Sequence, residues 1–277
     1  MTPAEYCQEK AAKSGSSFYY SFLFLPKQQR EAITALYAFC REVDDIADEC
    51  HEPDIARIKL EWWRTELVST YANHPSHPVS QALLPAIRHY GLAQEQLEEI
   101  IDGMEMDLQH VRYPDFKALQ LYCYRVAAVV GQLAATIFGY TDRNTLKYAH
   151  DLGIAFQLTN IIRDVGEDAR RNRIYLPQDE LVQFGVSEND LLAGHSSPAF
   201  RALLAHQTKR AQHYYQQAMQ ELPKADQRNQ RPGLVMAAIY QAVLNEIVRD
   251  DYPVLKQRVS LTPIRKLWLA WRTWVFS

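Results

Sequence analysis

The sequence predicts an all-α fold in a single domain over 1–277, on three observations. Long segments carry a 3.6-residue apolar period, and prolines punctuate them. No stretch shows the alternation of a strand or the composition of a linker. Only 10 residues are glycine and β-branched runs are scarce, which favours helix over sheet. Pro26, Pro53, Pro85, Pro114, Pro177, Pro198, Pro232 and Pro263 sit at or near boundaries, where a missing N–H does least harm. Between them the pattern predicts helices over 27–49, 54–72, 79–90, 94–110, 115–139, 142–169, 198–221, 232–250 and 263–275.

Hydrophobic residues make up 47% and charged residues 23%, enough for a substantial core. The net charge of −3 argues against a nucleic-acid partner, whose footprint is strongly basic. Cys7, Cys40, Cys50 and Cys123 form no metal-ligand spacing and are expected to be free thiols in a reducing cytosol. The opening MTPAEYCQEKAAKSG is too polar for a signal peptide, so a cytoplasmic location is expected. The most apolar stretch, Val126 to Tyr140, is shorter than the roughly 20 residues a membrane span needs. It also contains Gln132, and reads as a buried core helix.

The first long helix, 27–49, puts Tyr37, Arg41, Asp44 and Asp48 on one stripe. Ile33, Leu36, Cys40, Val43 and Ala47 form the apolar face beside it, so the carboxylates stand at the rim of the core; Asp45 points further outward. The helix over 142–169 repeats the arrangement with Gly153, Gln157, Asn160, Asp164 and Asp168, flanked by Ile154, Leu158, Ile161 and Val165. Like charges four apart repel by roughly 0.2–0.5 kcal/mol per pair, so two such pairs at core rims point to a cation. Oxygen donors suit magnesium, which fills its remaining positions with water and substrate phosphates; manganese is the alternative ion. Gly153 is costly in a helix, and its place in the stripe suggests room for a ligand.

Between these helices, Ala118 to Gly139 offers Tyr122, Val126, Val129, Leu133 and Thr136 as an apolar wall. Ala127, Ala128, Gly131, Ala134 and Ala135 permit close helix approach, and a buried Tyr122 hydroxyl would need a polar partner. After the second acidic pair comes Arg170-Arg171-Asn172-Arg173-Ile174-Tyr175-Leu176-Pro177, a basic segment able to close over phosphate oxygens or to complement the helix dipole. The last helix carries Lys266, Arg272, Trp268, Trp271, Trp274 and Phe276. Docking of its aromatics into the fold is the first reading, and peripheral contact with the inner face of a membrane the second.

At these residues the chain resembles the squalene/phytoene synthase family over nearly its whole length. The resemblance rests on SSFYYSFLFLP (16–26), ALYAFCREVDDIAD (35–48), YCYRVAAVVG (122–131) and QLTNIIRDVGEDARRNRIYLP (157–177). It implies an all-helical, isoprenoid synthase-type bundle around a central cavity, in which two acidic motifs hold magnesium and two prenyl diphosphates. The metal role then falls to Asp44, Asp48, Asn160, Asp164 and Asp168. Substrate and diphosphate contacts fall to Ser17, Phe18, Tyr37, Arg41, Gln157, Asn160, Arg163, Arg173 and Tyr175, and a place near the reacting centre to Tyr122. Within the family, PGLVMAAIYQAVLNEI and RVSLTPIRKLWLAWRTW are most similar to bacterial presqualene diphosphate synthases of squalene and hopanoid biosynthesis. One departure is Ala128, where many phytoene and squalene synthases have glycine in VAG-x-VG.

The reaction so implied is head-to-head condensation of two farnesyl diphosphates to presqualene diphosphate with release of diphosphate. The donor's allylic C–O bond ionises, the acceptor alkene attacks, and proton loss closes the cyclopropane. This half-reaction needs no NADPH. Downstream isoprenoid enzymes are the expected partners. The alternatives are phytoene synthase, which joins two geranylgeranyl diphosphates, and a full squalene synthase with NADPH. From another class, His150-Asp151 suggests a metal-dependent phosphohydrolase, although the remaining histidines supply no companion set.

Overall fold

Why the chain forms these helices is visible at their ends. The computed structural model describes residues 1–13, 21–22, 24–50, 52–109 and 112–276. Ser17 and Phe18 lie outside the described residues. Among those described, every regular element is helical and none is a strand. In chain order these are α1 (Pro3–Lys13), α2 (Lys27–Glu49), α3 (Pro53–Tyr71), α4 (Pro78–Tyr90), α5 (Gln94–Leu108), α6 (Phe116–Phe138), α7 (Asn144–Arg170), α8 (Gln178–Phe184), α9 (Glu188–Leu192), α10 (Pro198–Glu221), α11 (Arg231–Arg249) and α12 (Pro263–Phe276). Proline occupies the first turn of α3, α4, α10 and α11, where its lost donor is one of the orphan N–H groups. Asp115, Ser187 and Ser197 cap α6, α9 and α10 through their side-chain oxygens.

Five features differ from the sequence expectation, and the short helices α8 and α9 are two of them, lying where the pattern predicts none. Pro85 lies inside α4, not at a boundary, with its ring on the exposed side. Helix α1 is unanticipated: its only buried residue is Cys7, so it shows little apolar period and is held by packing on α2 and α4. Helix α6 also contains a π-turn over Tyr124–Ala128, between Phe116–Cys123 and Val129–Phe138.

Helix α6 is the wall between two apolar clusters. One gathers α2 to α5 around Phe39, Trp63, Leu83 and Ile101, with Val129, Leu133 and Ile137 of α6. The other gathers α7, α10 and α11 around Ile154, Phe200, Leu203 and Ile239, with Leu119, Tyr122, Ala128 and Ala135 of α6. By length and composition α6 is apolar enough to cross a membrane, yet it packs against α2, α5 and α7 as a core helix. Close approach between α6 and α7 depends on glycine. A Cβ on Gly153 would meet the Ala127 carbonyl oxygen and the Ala128 Cα at 2.6 Å each, and one on Gly131 would meet the Ala149 carbonyl oxygen at 2.6 Å. Gly153 therefore makes room for the π-turn backbone as well as lining the central cavity. The four cysteines are free thiols.

Candidate active site

The two clusters do not meet everywhere, and the gap is a cavity of about 830 Å³. Its floor is apolar, lined by Phe22, Leu36, Val126, Val130, Ala134 and Phe138. Its other end is charged. Asp44 and Asp48 come from α2, Asp107 from α5, and Asn160, Asp164 and Asp168 from α7. Tyr37, Arg41, Tyr122, Gln157, Arg163, Arg173 and Tyr175 also line it, whereas Asp45 and Arg170 do not.

Each acidic helix supplies one arginine of its own and receives others from elsewhere, two on α2 and one on α7. On α2, Arg41 Nη1 pairs with Asp44 at 2.5 Å, and its other nitrogen bonds Asp45, which Lys10 also holds at 2.8 Å. Asp48 is met from the loop after α7 by Arg173 at 2.6 Å and Arg171 at 3.3 Å. On α7, Arg163 chelates Asp164 at 2.7 and 2.5 Å. Arg258 then reaches Asp164 from the segment after α11, at 3.0 Å. Asp168 has no ion pair among the described residues.

Burial and mutual repulsion raise several of these carboxyls. Asp44 is pushed up to about 6 by burial, against the pull of Arg41 and with help from Asp48 and Asp107. Asp168 rises to about 7 through burial and the charge of Asp164, with Arg173 opposing. Arg163 and Arg173 are held protonated because the carboxylates beside them outweigh burial.

Asp107 has no place among the sequence-predicted residues. Its two oxygens accept the hydroxyls of Tyr122 at 2.9 Å and Tyr175 at 2.7 Å. Burial lifts it to about 6, against those hydrogen bonds and Arg173. The three rings Tyr113, Tyr122 and Tyr175 stack around it with centroids 5.2–5.9 Å apart. A signal was available: Asp107 falls at helical spacing from Ile100 and Met104, a lone acid on an apolar face. Arg258 gave none, because only the fold brings it to Asp164. The chain crosses α7 at Gly166, where a Cβ would meet the Val254 carbonyl oxygen at 2.5 Å.

The donor set fits magnesium. Carboxylates on three helices converge and repel, and the Asn160 side-chain oxygen is buried with no partner. No three acidic, histidine or cysteine groups among the described residues stand close enough to form a ready-made cage. That suits an ion which takes one or two carboxylates and completes its shell with water and phosphate. His150 pairs with its neighbour Asp151 at 2.9 Å and does not line the cavity, and among the described residues no group of three His, Cys, Asp or Glu gathers at that dipeptide.

The same arrangement has known relatives. A family profile described as squalene/phytoene synthase matches residues 11–265. The 15-cis-phytoene synthase of Synechococcus elongatus is 35% identical over 275 residues, covering 95% of this chain and 89% of that one. Phytoene synthase 1, chloroplastic, of Arabidopsis thaliana is 34% identical over 94% of this chain, which spans only 63% of the plant protein. Among solved structures, a dehydrosqualene synthase in complex with ligand superposes with a TM-score of 0.89 at 28% identity, covering 99% and 96% of the two chains. The squalene synthase HpnC from Alicyclobacillus acidocaldarius gives 0.81 at 27%, covering 90% and 94%.

Proposed function

The chain belongs to the squalene/phytoene synthase family, and on that premise we propose that it joins two prenyl diphosphates head to head. The observation that carries this is the polarity of one cavity, whose acids and arginines face an apolar floor. Asp44, Asp48, Asn160, Asp164 and Asp168 would hold magnesium, which when bound neutralises diphosphate so that it can leave. Arg41, Arg163, Arg173 and Arg258 turn from their carboxylates to phosphate oxygens, for which a guanidinium fork is well shaped. The donor loses diphosphate with the C–O electron pair, and the acceptor's alkene supplies the pair for the new C–C bond. Closing the cyclopropane releases one proton. Tyr122 accepts it while passing its own hydroxyl proton to Asp107, whose raised affinity for a proton suits that role. A phytoene product further requires this cyclopropyl diphosphate to lose its own diphosphate with the C–O electron pair and the rearranged cation to lose a second proton. Val126, Val130, Ala134 and Phe138 keep water from the cation.

For chain length, the curated relatives support two C20 diphosphates and a phytoene product over the C15 reading taken from the C-terminal segments. The Ala128 departure does not oppose this. Ala128 is fully buried against Gly153 of α7 and does not line the cavity. The C15 reading, presqualene diphosphate or squalene, keeps one support: both solved structures above carry squalene-type names.

Incubating the purified protein with C15 or C20 diphosphate and magnesium, with and without NADPH, tests this. Phytoene from the C20 substrate without NADPH is expected, and chelation should stop it. Presqualene alcohol after phosphatase treatment, or squalene, would replace it with the C15 reading. A simple prenol as the only product would overturn the synthase altogether.

A further inference from the structure

Helix α12 is built the wrong way round for a helix that only docks. A surface helix normally turns its apolar stripe inward and its polar residues to water. Here the inner face holds Ala270 and Trp274, together with Lys266, which lines the cavity. Outward stand Ile264, Leu267, Trp268, Trp271 and Val275, with Ile264 80% exposed and both tryptophans at least half exposed. At 100° per residue these five fall within a stripe about 100° wide. Arg272 and Arg265 run along one flank of it, and Arg272 lies over the Trp268 ring at 5.3 Å. Trp274 is the anchor: it touches Phe24, and Arg231 lies over its ring. The docking expected from the sequence is thus carried by one tryptophan, and the other two remain outside.

We propose that the outer face of α12 lies on an anionic lipid surface, with Trp268 and Trp271 at headgroup depth and Arg272 on the phosphates, while Arg265 beside it is held by Glu246 at 2.7 Å. An apolar stripe flanked by arginine and interspersed with tryptophan is the composition of an interfacial helix. Charge selects the occupant. Residues 252–277 hold five lysines and arginines and no acid, although the whole chain is net −3; Arg258 and Arg265 pair with Asp164 and Glu246 and Lys266 lines the cavity, which leaves Lys256 and Arg272 to the outside. The base is therefore gathered at this end, as an anionic surface requires. A second copy of the chain fits less well, since antiparallel two-fold pairing of the stripe would set the arginine flanks near one another. The location also suits a lipid product. Val259, Ser260 and Leu261, which lead into α12, line the cavity with Lys266, so one short segment borders both the chamber and the surface.

The test needs no substrate, so its failure would leave the reaction reading untouched. The full chain is floated with vesicles of phosphatidylcholine alone and of phosphatidylcholine with one-quarter phosphatidylglycerol. Recovery with the anionic vesicles is expected, falling with added salt. The double variant Trp268→Ser/Trp271→Ser should lower partition at least about tenfold while its helical CD and melting stay parental. Arg272→Gln, which keeps the tryptophans, should weaken binding to anionic vesicles only. Equal recovery of parent and double variant overturns the proposal. So does a parental dimer by light scattering that the same double variant makes monomeric, which would assign the face to a second copy.

Discussion

Among the described residues, Asp44 and Asp48 on α2 are both met by arginine, whereas on α7 only Asp164 is. The motifs have the same spacing and both stand at the rim of the core. The difference comes from distant chain. Arg173 closes on the first pair from the loop after α7, and Arg258 closes on Asp164 from beyond α11, leaving Asp168 facing like charges. Spacing places an acid, but the counter-charge it meets is decided by whichever segment the fold lays beside it. On the proposed reading, a cation would gain most at Asp168, and at Asp48 it would first have to displace an arginine.

The sharpest way to break this comparison is to neutralise one acid from each helix. Asp44→Asn and Asp168→Asn should each lose at least about 10³ in turnover, because neither variant can complete the metal-bridged diphosphate site. Stability should separate what activity does not. Asp168→Asn breaks no ion pair and removes repulsion, so its melting temperature should match or exceed the parent. Asp48→Asn strands Arg173 and Arg171 and should melt lower. Equal melting losses for Asp168→Asn and Asp48→Asn would show that the two acids are not differently compensated.

Arg258 sharpens the comparison from the other side. Arg258→Ala should cost roughly 10²–10³ in kcat/KM by removing a charged donor aimed at the diphosphate. Gly166→Ala should reproduce part of that loss without touching a charge. Its Cβ would meet backbone of Val254 and Leu255 at 2.5–2.8 Å and displace the segment that carries Arg258. Such overpacking costs about 1–3 kcal/mol, measurable by denaturant titration. Parental kinetics in Gly166→Ala would mean that the segment is not positioned by this crossing.

Asp107 compares the charged mouth with the reacting centre below it. Asp107→Asn keeps one accepting oxygen for one tyrosine hydroxyl and offers an N–H to the oxygen of the other, so both Tyr122 and Tyr175 retain a partner. It cannot take up a proton, and turnover should fall roughly 10²-fold with KM little changed. A KM effect alone would make Asp107 a structural prop.

Much of this was legible in the sequence, and the exceptions have physical causes. The long helices follow from apolar period and proline punctuation, because their stripes are buried on a continuous face. Helix α1 escaped because it buries one residue, and the π-turn because it keeps helical dihedrals and leaves no composition mark. In the site, Tyr122 declared a need for a partner, but Asp107 was hidden by attention to paired acids. Gly153 was legible as unusual, but only half of its role could be read: it borders the cavity, and its close contact with Ala127 and Ala128 is set by the fold. Arg258 was not legible at all, since nothing local to VLKQRVS announces Asp164.

The smallest effect concerns an acid far from the chemistry, which serves as the control for all the others. Asp226 is fully buried and accepts four hydrogen bonds, from Thr141 N at 2.8 Å, Thr141 Oγ1 at 2.7 Å, Asp142 N at 3.0 Å and Thr145 Oγ1 at 2.6 Å. Burial alone would raise its pKa, but these bonds outweigh it and hold the carboxyl at about 2. An acid held below its unfolded value of roughly 3.9 contributes stability that is complete above that value and fades as pH falls toward 2. Asp226→Asn should therefore melt below the parent at pH 6, by about 1–3 kcal/mol, and the gap should narrow between pH 4 and pH 2. Turnover per folded molecule should stay parental at neutral pH, because Asp226 does not line the cavity. A gap that is constant with pH would mean that the loop after α6 is held by shape and not by the charge of this carboxylate. The stability readout used to set Asp168 apart from Asp48 would then have to be recalibrated against a different buried acid.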